Sequence, residues 1–82
     1  MVTDQDEMQN LAANIRLAME EKHWSQLDLK RASGVPQPTI SGILNKKNDP
    51  SVSVVSRLAK ALSTSIDNLL SPPPRKNLRR AS

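Results

Sequence analysis

The sequence has no cysteine, tyrosine or phenylalanine, and only one tryptophan and two glycines among its 82 residues. Without cysteine there is no disulfide and no thiolate metal site, which accords with a reducing cytosol. With Trp24 as the sole aromatic, the chain lacks a platform on which unpaired bases could stack, so single strands and RNA loops are disfavoured as partners. No apolar run approaches the roughly 18 residues of a membrane span, and the first ten residues, MVTDQDEMQN, are polar and acidic, unlike a secretory signal. The expectation is a soluble cytoplasmic protein. No nucleophile, base and orienting group fall into a catalytic pattern, and no glycine-rich loop could cradle phosphate. His23 is a lone histidine without a metal-binding partner. Neither an enzyme nor a cofactor is expected.

What is present is charge, unevenly spread. The total is +4. Residues 1–28 carry six acids against two bases, a net −4, whereas residues 29–82 carry ten bases against two acids, a net +8. A basic half on so small a chain points to a polyanionic partner, and the missing aromatics favour duplex DNA among polyanions.

Apolar periodicity lays out an all-helical domain without strands or repeats. Met8, Leu11, Ala12, Ile15, Ala18 and Met19 form one stripe on a helix of about residues 6–22. Trp24 is placed at the corner to the next helix. Ser25 with Asp28 three residues on reads as a capped start for a helix over 26–32, which ends at Ser33-Gly34. Pro36 and Pro38 fit the first turn of another helix, where the N–H groups lack intrahelical partners anyway. Its body runs to Asn45, with Ile40, Ile43 and Leu44 inward and Gln37, Ser41 and Gly42 outward. Ser51 or Ser53 caps a fourth helix to about Ser63, with an apolar face of Val52, Val55, Leu58, Ala59 and Leu62. Thr64 or Ser65 caps a short fifth, residues 66–70. Ser71 and three prolines end the domain. The division is thus 1–71 for the domain and 72–82 for a flexible, proline-rich basic linker or tail that carries Arg75, Lys76, Arg79 and Arg80.

Two short helices around Gly34 form a helix-turn-helix, whose second helix fits the roughly 12 Å wide major groove of B-DNA. Leu29, Val35, Ile40 and Ile43 would share the small core that holds it proud of the body. Over residues 11–70 the chain resembles the DNA-binding domain of the lambdoid phage repressor and Cro family, the XRE type. The resemblance is carried by "NIRLAMEEKHWSQLDLKRASGVPQPTISGILN" and "PSVSVVSRLAKALSTSIDNLL". It implies a compact five-helix lambda-repressor-like fold and a transcriptional repressor of phage or prophage type, bound as a homodimer to a two-fold operator.

The same resemblance implies residue roles. Helix 37–45 would read the major groove, with base contacts from Gln37, Pro38, Ser41 and Gly42. Pro38 could touch a thymine methyl, and Gly42 could let the backbone come close. Gln26, Thr39, Asn45, Lys46 and Lys47 would hold phosphates, Gln26 aided by its helix dipole. Val54, Ile66 and Leu69 would form the dimer contact, and a further C-terminal domain could strengthen it. The sequence departs from the family at Lys30, where a small residue is usual, and at Lys47 and Asn48, in a loop that often carries glycine. An antitoxin or other protein-interaction module on the same scaffold is the alternative, since the "QPTISG" face is bland.

Overall fold

A computed structural model describes residues 5–73 as five α-helices. They are α1 (Gln5–Lys22), α2 (Gln26–Ser33), α3 (Gln37–Leu44), α4 (Val52–Ala61) and α5 (Ile66–Leu70). The long α1 packs on α3 and α5, and α2 lies against α3 and α4. Leu11 and Ile15 of α1, Leu29 of α2, Ile40 and Ile43 of α3 and Leu58 of α4 meet in one core. The expected Leu29, Val35, Ile40 and Ile43 are all within it, each at most 2% exposed. Trp24 is half-buried against that core, and the Lys22 ammonium lies 5.2 Å from its ring centroid.

The helix starts follow from local chemistry. Ser25, Ser51 and Ser65 each accept a backbone N–H three residues on, from Asp28, Val54 and Asn68. Of the alternative caps, Ser51 and Ser65 are used and Ser53 and Thr64 are not. Pro36 caps α3 with its carbonyl alone, accepting from Thr39 N at 3.0 Å and Ile40 N at 3.1 Å.

The helix ends differ more from expectation. Gly34 ends α2 in the left-handed region, φ 75°, as expected of the residue with least steric penalty there. But His23, Lys46 and Ser63 also take φ 58°. Each closes a helix with the paired bonds of a Schellman motif. Trp24 N donates to Met19 O and His23 N to Glu20 O; Lys47 N donates to Gly42 O and Lys46 N to Ile43 O; Thr64 N donates to Ala59 O and Ser63 N to Lys60 O. The fourth helix therefore stops at Ala61 rather than Ser63, and α3 stops at Leu44 with Asn45 as its cap.

Two placements correct the reading of the apolar faces. Val52 is 55% exposed, because it is the first residue of α4 and precedes the turn that packs. Leu69, expected at a dimer contact, is 2% exposed and belongs to the core of its own chain. Asparagines of α1 bind it in from behind. Asn14 Nδ2 lies within donating distance of Leu69 O (2.8 Å), Ser71 O (2.7 Å) and Asn68 O (3.1 Å), and Asn10 Nδ2 donates to Leu70 O (3.0 Å). These bonds satisfy the carbonyls at the end of α5 that no helical N–H can reach. The basic residues expected in the tail, Arg75, Lys76, Arg79 and Arg80, lie outside the described residues. Among the described residues no helix is long and apolar enough to cross a membrane, and no cluster of His, Cys, Asp and Glu could hold a metal ion.

Candidate nucleic-acid interface

The interface is built from α2, the turn at Gly34, α3 and the loop that follows. α2 starts on a full capping box: Asp28 N donates to Ser25 Oγ, and Ser25 N donates to the Asp28 carboxylate at 2.9 Å. That backbone bond, with the Ser25 hydroxyl second, holds the Asp28 carboxyl below the usual carboxylate range. Gln26, the first residue of α2, is half-buried and lines an open groove of about 350 Å³ together with Arg16, Trp24 and Leu44.

The turn is locked by side chain and backbone together. Gly34 N donates to Lys30 O at 2.8 Å; the Ser33 hydroxyl donates to Leu29 O at 2.7 Å and accepts from Val35 N at 3.1 Å. Val35 is 1% exposed and pins the far side of the turn in the core. Lys30, at the position where a small residue is usual, is exposed, and the neighbouring Leu29 is the residue that fills the core.

The first turn of α3 therefore stands in the open. Pro36, Gln37 and Pro38 are exposed, Thr39, Ser41 and Gly42 are half-buried, and Ile40, Ile43 and Leu44 are buried. Pro38, Ser41, Gly42 and Asn45 recur at three- and four-residue spacing and so share the outward side of α3. Asn45 Nδ2 reaches the Ser41 hydroxyl at 3.5 Å. Lys46 and Lys47 follow directly and are exposed. From Leu29 to Asn48 the sequence holds Lys30, Arg31, Lys46 and Lys47 and not one acid. Of the expected dimer residues, Val54 and Ile66 are half-buried and pack partly on the core.

Two residues of this region were not singled out in the sequence for the places they take. Arg16, in the middle of α1, donates from Nη2 to Leu44 O at 3.2 Å, so it holds the C-terminal end of α3 and complements its dipole. Asn48 folds back onto α3: a methyl at Gly42 would collide with its side-chain amide. The space beside Gly42 is thus taken by another residue of the same chain. The one visible signal was glycine itself, the only one in α3, at a position where a helix gains nothing from it.

Comparison with known proteins agrees with this architecture. A helix-turn-helix family model matches residues 15–69. A hypothetical transcription factor of Neisseria meningitidis serogroup B is 34% identical over 70 residues, 85% of this chain and 66% of that protein. Antitoxin HigA1 of Mycobacterium tuberculosis is 30% identical over 70 residues, 85% of this chain and 47% of the antitoxin. This chain thus spans less than two thirds of the length of either curated relative. The crystal structure of the hypothetical transcription factor NHTF from Neisseria superposes with a TM-score of 0.79 at 30% identity, covering all of this chain and 92% of that one. With the match running from the middle of α1 into α5 across every element between them, the chain belongs to the XRE-type helix-turn-helix family.

Proposed function

We propose that this protein is a DNA-binding transcriptional regulator that lays α3 in the major groove of a two-fold operator and acts as a repressor. The observation that carries the reading is the exposed, acid-free surface of α3 and its flanks, on a helix whose opposite side is fully sunk in the core. Gln37, exposed at the start of α3, pairs with a base edge in this reading, and an amide there suits adenine N6 and N7. Pro38 and Ser41 lie along the same side for apolar and hydroxyl contacts. Lys46 and Lys47 supply charge at one end of α3, and Gln26, the first residue of α2, offers its amide to a phosphate, aided by the helix dipole. Thr39 and Asn45 complete the phosphate set.

An eight-residue helix is about 12 Å long and spans only a few base pairs, so a unique site requires two copies. Val54 and Ile66 remain the dimer residues in this proposal, without Leu69. The similarity to antitoxin HigA1 supports a second reading, in which the same scaffold also caps a toxin. Titrating a mixed-sequence duplex at several salt concentrations tests the first reading. Binding that weakens steeply as salt rises is expected, because each neutralised phosphate releases a counterion. Absence of duplex binding, together with capture of a partner protein, would favour the second.

A further inference from the structure

The outward side of α3 has a gap at its centre. Pro38, Ser41 and Asn45 carry side chains there, and Gly42 does not. The structure fills the gap from elsewhere in the chain. Lys47 N and Asn48 N both donate to Gly42 O, at 2.8 and 3.3 Å, so the chain doubles back directly over the glycine. Lys46 makes the reversal by taking φ 58°. The Asn48 side chain then lies on Gly42, with its Nδ2 and Cγ in the space of the missing Cβ and its Oδ1 2.9 Å from that point. Asn48 is itself exposed.

We infer that Asn48 is a base-reading residue: its carboxamide stands where a side chain at position 42 would begin, and pairs with the N6 and N7 edge of an adenine in the major groove. The chemistry is that of one acceptor and two donors on a short planar group, the arrangement that matches adenine in a bidentate pair. Gly42 is then required for a reason other than close approach of DNA. Any larger residue would displace the amide that does the reading. The inference rests on the proposal that α3 enters the major groove.

Selection of bound sites from a random duplex pool, run in parallel for the native chain and for Asn48→Ala, tests it. The native motif should contain one adenine per half-site whose preference disappears in the variant. Affinity for a single half-site should fall about 5- to 150-fold, the range of one lost bidentate pair, while affinity for mixed-sequence duplex stays unchanged. Asn48→Asp is isosteric and sits on an exposed loop, so it keeps the fold. It should exchange the adenine preference for cytosine, whose N4 donates to a carboxylate. An unchanged motif in both variants, or an equal loss on native and mixed sequences, overturns the assignment. A native chain that binds no duplex overturns instead the reading on which it rests.

Discussion

Gln37 and Lys46 illustrate two kinds of residue in the proposed interface. Gln37 is exposed in the first turn of α3 and lies outside the core. Gln37→Ala should therefore leave stability nearly untouched, cost about 1–3 kcal/mol on the native operator and relax one base position, as read by affinities on matched and mismatched duplexes. Lys46 holds a left-handed conformation that glycine would adopt more cheaply. Lys46→Gly should raise stability by about 1 kcal/mol in a denaturant titration, yet weaken binding to all duplexes alike and flatten the salt dependence by about one unit. Opposite signs for folding and binding would identify a lysine kept for its charge. Loss of stability would show that the unfolded-chain entropy added by glycine outweighs the cost of the left-handed turn. Neither the turn nor its strain was legible in the sequence, because lysine gives no local sign of positive φ. The glycine expected in this loop is missing, and the reversal falls on Lys46 rather than on Lys47 or Asn48.

Among the elements, what was legible is what neighbours in sequence decide. The Ser25–Asp28 box, the Gly34 turn and the proline-started α3 each depend on residues within four positions of one another, and each takes the form expected. The contacts that hold elements together were not legible. Arg16 meets Leu44 across 28 residues, and Asn14 meets Leu69 across 55. Polar side chains on α1 look like ordinary solvated positions until α5 and α3 are folded against them. Asn14→Ala would leave three carbonyls near the end of α5 without this donor, and is expected to lower stability by about 1–3 kcal/mol in thermal or denaturant unfolding.

The capping box of α2 adds a pH dependence. Because folding depresses the Asp28 pKa, its contribution is present above the unfolded value of about 3.8 and is lost as pH falls through the lower folded value. Asp28→Asn should thus be less stable than the native chain at neutral pH, and the difference should vanish in strong acid. A constant difference across the titration would assign the effect to packing instead.

At the scale of the molecule, charge and architecture point the same way. The acidic N-terminal third supplies α1, which supports α3 and α5 from behind, and the basic remainder supplies α3 and its flanks. Fold class and element order were readable because apolar periodicity alone specifies which sides of the helices must meet. The assembly was less readable, since an apolar residue near a helix end serves its own core or a partner equally well. Leu69 went to the core, held by Asn14, whereas Val54 and Ile66 kept part of their surface. If they support a dimer, Ile66→Glu should leave the monomer folded, abolish sigmoidal occupancy of a two-fold site and reduce its affinity to that of a single half-site, as seen by sedimentation and gel-shift titration.

In the proposed function two copies of α3 read one DNA duplex. The most direct measurement is selection of bound duplexes from a random pool, followed by titration of the selected site at two salt concentrations. A palindromic motif with half-sites about one helical turn apart, bound less tightly at the higher salt, is the expected result. Recovery of no motif, or of no bound duplex at all, would contradict it.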